Sequence, residues 1–210
     1  MMKQVEVKRK TAGLKSTLTT ATPVPQTTTV PRVYPISKII SGTPITFRIM
    51  IPDDAAAIVE FASTLTEADV AYLRMDITKL EVVAVWLENI SRHRTRTILA
   101  IADDKIIGYG SIHHNVILWT RHIGEVRILT HAHWRGDSEL RECLAGEVFQ
   151  MAKEQNLQRL YVEVPADRPH LAIVYDRLGF KSEALLSDWI MTSDGRTHDL
   201  VVMSMRLEDE

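Results

Sequence analysis

A chain of 210 residues with 45% hydrophobic and 25% charged residues is long enough for one domain with a sizeable core, plus an appendage. The net charge of −2 hides two unlike parts: residues 1–44 hold seven Lys and Arg against one acid, and the rest holds eighteen against twenty-six. An acidic body argues against a nucleic-acid-binding face on the folded domain, because neutralising phosphates takes clustered Lys and Arg. The single cysteine, Cys143, excludes an intrachain disulfide framework and a multi-thiolate metal site, and points to a reducing compartment, most simply the cytoplasm. No run approaches the roughly 20 apolar residues that span a bilayer, so no membrane segment is expected, and an acid-poor start with few Arg leaves an organelle transit peptide open.

Thr and Pro dominate from Thr17 to Pro35, a composition that buries too little apolar area to offset ordering entropy. Residues 1–32 therefore read as a flexible tail and residues 33–210 as the folded domain. Ile36–Ile40 and Ile45–Met50 are β-prone and flank a turn at Ser41-Gly42-Thr43-Pro44. Asp53 or Asp54 caps a helix over Ala55–Ser63, and Thr66 starts a short second one. Thr78-Lys79-Leu80-Glu81 reads as a capping box for a third, with Val82, Val83, Trp86 and Ile90 on one face.

The period then changes to two. Thr97–Ala102 and Ile106–His113 form a hairpin about Asp103-Asp104, and Ile123–Thr130 is a further strand. Helical spacing returns with Leu140, Leu144, Val148, Met151 and Ala152, stopping near Asn156. Leu160–Val164 is a strand, Asp167-Arg168-Pro169 opens a helix that Gly179 ends, and two strands flank Ser193-Asp194-Gly195. This order predicts an α/β (α+β) domain with a central mixed sheet and helices on both faces.

Four segments, in this order, carry a resemblance: Trp119-Thr120-Arg121-His122-Ile123-Gly124-Glu125-Val126-Arg127, Trp134-Arg135-Gly136, Tyr175-Asp176-Arg177-Leu178-Gly179-Phe180, and Asp194 to Ser204. With Tyr34-Pro35 and Gly42 to Arg48 before them, they span most of residues 33–207. In them the chain resembles bacterial members of the GNAT (Gcn5-related N-acetyltransferase) superfamily. The resemblance implies the GNAT fold, a mostly antiparallel sheet with a V-shaped opening. There the pantetheine arm of acetyl-CoA pairs with Ile128, Leu129 and Thr130, and the next loop and helix start, Arg135, Gly136, Asp137, Ser138, Glu139, Leu140 and Arg141, receive the pyrophosphate. A helix start suits this because its N–H groups lack partners and the dipole is positive there.

The family's loop pattern is Arg/Gln-x-x-Gly-x-Gly/Ala. Here Ser138 and Leu140 replace both glycines, and Asp137 and Glu139 add like charge beside a phosphate. The same residues fit an ordinary helix start, with Asp137 or Ser138 as cap and Glu139 favouring the positive end.

For chemistry the resemblance implies direct transfer of an acetyl or other short acyl group from acyl-CoA to a primary amine, without a covalent enzyme intermediate. Glu125 is the candidate base, acting through water, and Tyr175 the acid that protonates the leaving thiolate. Glu125 reads equally as a strand carboxylate paired with a neighbouring Arg, and Tyr175 as a core tyrosine with a wet tip. The acceptor is a small amine or a protein lysine or N-terminal amine, and dimerisation is a tendency of the family. Eight histidines invite a metal site, but adjacent His113 and His114 point to opposite faces of a strand, so none is expected. The tryptophans read as core or rim packing, with Trp189 open to an acceptor pocket or a dimer contact. The competing function is a GNAT-fold module with weakened or lost turnover that keeps the cleft for a ligand or partner.

Overall fold

Two tight turns set the first half of the sheet. In the computed structural model, which describes residues 31–115, 117–134, 136–192 and 194–207, φ is 47° and 81° at Ser41 and Gly42, and 49° and 58° at Asp103 and Asp104. Left-handed conformations at both central positions let a two-residue hairpin follow the right-handed twist of its strands. The first turn joins β1 (Ile36–Ile40) to β2 (Thr43–Ile49), and the second joins β3 (Thr95–Ala102) to β4 (Lys105–His114).

Four more strands follow: β5 (Ile123–Thr130), β6 (Arg159–Pro165), β7 (Lys181–Met191) and β8 (Thr197–Arg206). The sheet runs β1-β2-β3-β4-β5-β6-β8-β7. Neighbours are antiparallel except β5 and β6, whose link is the 17-residue helix α4 (Ser138–Glu154). A parallel pair needs such a crossover. The remaining helices are α1 (Ala55–Ser63), α2 (Glu67–Val70), α3 (Leu80–Ser91) and α5 (Pro169–Arg177). The sheet is thus mixed and mostly antiparallel with helices on both faces, as the sequence predicts.

Each face has its own core. Leu140, Leu144, Val148 and Met151 of α4 pack on Phe47, Ile98, Ile112, Val126 and Val162 of the sheet, with α5 alongside. On the other face Ile58 and Phe61 of α1 and Val83 and Trp86 of α3 pack on Met50, Leu99 and Tyr109. Trp134 packs partly against the first core, whereas Trp119 and Trp189 are 89% and 65% exposed and pack in neither.

Glu147, in the middle of α4, is only 1% exposed. A buried carboxylate must be paired. Arg32 reaches both its oxygens at 2.9 and 3.0 Å, the Tyr34 hydroxyl donates at 2.9 Å, and Lys38 lies at 3.5 Å. These contacts fasten residues 32–38 across α4. The tail expected over residues 1–32 falls outside the described residues apart from 31 and 32. No helix among the described residues is long and apolar enough to cross a membrane.

Two expected caps are corrected. Asp54 holds the N-cap position of α1 but makes no side-chain cap bond, because its carboxylate is taken by Arg48 and the Ile51 N–H. Thr78 does not cap α3, whose N-cap position is Lys79 with no side-chain cap bond. The Thr78 hydroxyl is taken by the Asp76 carboxylate two residues earlier, a local contact that wins over the capping box.

The close seat of α4 on β4 depends on Gly110. A Cβ there would lie 2.7 Å from Val148 Cγ2 and 3.4 Å from the Leu144 carbonyl oxygen. Valine is stiff about its first torsion, so neither neighbour yields easily. Gly110→Ala is expected to lower unfolding stability by about 1–3 kcal/mol in a denaturant titration. An unchanged midpoint would mean that α4 shifts freely on the sheet.

Candidate active site

β5 and β6 pair only over Ile123–Glu125 and Arg159–Tyr161. Past that point β5 continues to Thr130 with its far edge on β4, and β6 continues to Pro165 with its far edge on β8. The facing edges part, and a cavity of about 400 Å³ fills the opening.

Register tells which peptide groups face it. The His131 N–H bonds the Ile107 carbonyl at 2.7 Å, and Tyr109 lies opposite Leu129. Pairs alternate along an antiparallel ladder, so Glu125, Arg127 and Leu129 turn their peptide groups to β4. Val126, Ile128 and Thr130 turn theirs to the opening. Of the three residues assigned to a donor's arm, Ile128 and Thr130 offer main-chain groups there, while the peptide groups of Leu129 are engaged with β4.

Tyr175 comes to the same cavity from α5, its ring edge-on to Phe180 at 5.5 Å. Burial pushes its phenol up to about 12, against the lowering pull of the Arg141 charge. The phenol therefore keeps its proton across the neutral range and has it to donate.

The first turn of α4 borders the opening through Arg141, which also lines a second recess of about 380 Å³ with Ser138, Glu142, Val174, Arg177 and Leu178. Asp137 is the cap: its carboxylate accepts from the Leu140 N–H at 3.0 Å and from the Ser41 hydroxyl at 2.6 Å. The Ser41 hydroxyl and the Leu140 and Glu139 N–H groups hold Asp137 below the usual carboxylate range. The Leu140 side chain is 0% exposed in the core and does not fill the recess. Glu139 is exposed, and a Cβ on Gly136 would meet nothing within 4 Å. Arg135 lies outside the described residues.

Glu125 stands where two spaces meet, lining both the cavity and a cleft of about 800 Å³ formed with Arg94, Thr95, His113, Tyr161 and Ser204. It is only 7% exposed. Arg127 grips its two oxygens at 2.7 and 3.0 Å, Arg74 Nε lies at 3.2 Å and the Tyr161 hydroxyl at 3.5 Å. Arg74 also pairs with Glu163. Burial alone would raise the Glu125 carboxyl, but the hydrogen bonds and charge of Arg127, with the charge of Arg74, outweigh it and hold it below the usual range.

His113, opposite Glu125 on β4, is held by Thr95 Oγ1 at 2.9 Å and Ser111 Oγ at 2.8 Å. Burial first, and the Arg127 charge second, push it down to about 3. Among the described residues no group of three or more His, Cys, Asp or Glu is placed to hold a metal ion.

The structure thus brings Glu125, Ile128, Leu129, Thr130, Arg141 and Tyr175 to one cavity. Sequence reasoning offered a neighbouring Arg for Glu125, which is Arg127, and raised His113 only as a metal candidate; it missed Arg74, Tyr161 and Glu163. One signal was there: Glu125 and Arg127 are two apart on a strand and so share a face. Arg74 lies in the turn between α2 and α3, where no periodicity points to β5.

With this geometry the fold is that of the GNAT acetyltransferases. The structure is similar to a GNAT-family acetyltransferase from Streptococcus pneumoniae, with a TM-score of 0.67 and 22% identity over 78% of this chain and 99% of that one. It is similar to a ribosomal-protein-alanine N-acetyltransferase from Brucella melitensis, with a TM-score of 0.66 and 22% identity over 77% and 99% of the two chains. It is also similar to yncA from Salmonella typhimurium, solved with its cofactor acetyl-CoA, with a TM-score of 0.67 and 18% identity over 79% and 95%. No protein-family model matches the chain, and the comparison with curated proteins gave no match.

His113 makes stability sensitive to mild acid. Its folded pKa is depressed, so below an unfolded value of about 6.5 the unfolded chain takes up a proton that the native one refuses. Stability present above about 6.5 is therefore lost as pH falls toward about 3. Thermal unfolding between pH 7 and 4.5 should show the wild type losing Tm more steeply than His113→Gln. Parallel slopes would remove His113 from this account.

Proposed function

We propose that the chain is an acyl-CoA-dependent N-acyltransferase, moving an acetyl or other short acyl group to a primary amine by direct attack. The observation that carries the reading is the parting of β5 and β6, which opens a cavity bounded by unpaired strand edges and by the Tyr175 hydroxyl. An arm built of amide groups can pair with the open edge of a strand as another strand would. In this reading the Val126, Ile128 and Thr130 peptide groups hold the donor's arm, and Arg141 and Arg177 flank the recess for its diphosphate. The donor supplies a thioester-activated acyl group. The acceptor approaches from the cleft across Glu125, which takes the amine's proton through water while Arg127 holds it in place, and Tyr175 gives its proton to the leaving sulfur. The lone Cys143 fits a reducing, cytoplasmic setting.

One observation favours the second reading, a GNAT-fold module with weakened turnover. The Asp137 carboxylate already occupies N–H groups at the α4 start that a diphosphate would use. The two readings separate on titration of the purified chain with acetyl-CoA, since a ligand at 100 times its Kd adds about 2.7 kcal/mol to folding stability. Absence of any shift at millimolar acetyl-CoA would sink the transferase reading.

Asp137→Asn keeps a good N-cap and removes the charge. Relief of one solvated like-charge contact of about 1 kcal/mol should tighten acetyl-CoA about five-fold by calorimetry. Unchanged or weaker binding would place the diphosphate elsewhere.

Tyr175→Phe should lower kcat by about 10²-fold with little effect on the KM for acetyl-CoA. In the wild type this acid is lost only as pH approaches about 12, so no descending limb is expected between pH 7 and 10. A thiol-release assay across that range checks both, and full turnover of the variant would strike Tyr175 from the mechanism.

A further inference from the structure

A hydrogen-bond donor buried in a protein has to be answered by an acceptor. The indole N–H of Trp86, on α3, belongs to a side chain 4% exposed and has no partner among the described residues. Trp86 packs at a tilt on Tyr109 of β4, with ring centroids 5.0 Å apart. Both rings line a recess of about 30 Å³, walled also by Ser111, His113 and the two arginines that hold Glu125, Arg74 and Arg127. A water molecule needs about 10–15 Å³ of room for its centre and two to four polar partners, and the recess supplies both. Across the β3–β4 ladder from Ser111, Thr97 is 1% exposed, and its hydroxyl also has no partner among the described residues. Residues directly opposite on two strands share a face of the sheet, so this second unanswered group lies on the side where the recess is.

The walls also dictate which way a water turns there. An indole and two guanidiniums can donate hydrogen bonds but not accept them. Three such groups compete for the two lone pairs of the water, and the two positive charges draw its oxygen, so a hydrogen is turned toward the Ser111 hydroxyl. Ser111 Oγ lies 2.8 Å from His113 Nε2, and Thr95 Oγ1 lies 2.9 Å from Nδ1. A serine that accepts from the water gives its own hydrogen to Nε2. A neutral imidazole carries one proton, which then sits on Nδ1 and is donated to Thr95. Burial keeps the ring neutral at pH 7.

We infer that the recess binds one water molecule, which fixes His113 as its Nδ1–H tautomer and makes Trp86 and Ser111 positioning residues for the wall of the cleft. The inference stands apart from the transferase reading, since it concerns an internal site and holds whatever ligand the cleft takes. Thr95 and His113 both line the cleft. The orientation set by the water is passed through the ring to the Thr95 hydroxyl, whose own hydrogen is left for the cleft. The reverse order, with Nε2 protonated, would spend that hydrogen on Nδ1. A ligand atom lodged beside Thr95 therefore meets a donor, which suits an amide or carboxyl oxygen.

The test uses the full chain labelled with nitrogen-15 at histidine, with the His113 signals assigned through His113→Gln. At pH 7 a long-range proton–nitrogen correlation should place Nδ1 among protonated ring nitrogens and Nε2 among bare ones. In crystals that resolve other internal waters, one density peak is expected at hydrogen-bond distance, about 2.7–3.2 Å, from both Trp86 Nε1 and Ser111 Oγ. Trp86→Phe removes the donor, so the peak should be lost and the His113 nitrogens should shift toward a mixture of tautomers. Should that variant not fold, the wild-type tautomer and density decide the matter by themselves. A protonated Nε2, a recess without density, or unchanged His113 nitrogens in folded Trp86→Phe would each overturn the inference.

Discussion

β5 and β6 are neighbours for three residues and then are not, and the peptide groups this leaves inside the sheet must be answered from elsewhere. The Tyr175 side chain of α5 stands in the opening between them, beside Ile128 of β5 and Val164 of β6. The rest of the architecture keeps the gap from closing. β5 is fixed on its far side by seven residue pairs with β4, and β6 by seven with β8. α4 returns the chain across the whole face before β6 begins, and it is seated closely because Gly110 has no side chain. The opening is thus a constraint of topology, and the chemistry at its rim is what the side chains add.

The charged groups at the junction show one contact serving two ends. Arg127 and Arg74 make it tolerable to bury the Glu125 carboxylate, which alone would be costly in so dry a place. The same two guanidiniums lower its affinity for protons. Glu147 on the opposite face meets the same demand with Arg32, Lys38 and Tyr34, and there the result is purely structural, tying the first described residues to α4.

Much of this was legible from local signals. Ser41-Gly42 and Asp103-Asp104 announce left-handed turns, and the 3.6-residue spacing of Leu140, Leu144, Val148 and Met151 marks the face of α4 that reaches the core. The Asp137 cap could be read three residues ahead of Leu140. The capping box at Thr78 failed because a nearer acceptor, Asp76, competes for the hydroxyl, and a four-letter pattern does not contain that competitor. The site was legible only in part. Glu125, Ile128, Thr130 and Tyr175 were legible through the family resemblance of the segments that hold them, while Arg74 reaches Glu125 from an irregular turn some fifty residues earlier in the chain. Contacts of that kind depend on tertiary packing and leave no periodic trace.

The place of β8 bears on how the molecule is made. It is the last strand in chain order, yet it sits between β6 and β7. During synthesis β6 therefore waits with one bare edge, and β7 has no neighbour, until residues near 206 have emerged from the ribosome. A nascent chain halted before then can assemble β1 to β5 but would expose strand edges prone to pairing with other chains. For the same reason a fragment lacking residues 197–206 would lose the seam joining β7 to the sheet rather than an outer strip, and two separately expressed pieces divided at the Asp194-Gly195 turn would have to insert one strand between two others to restore it.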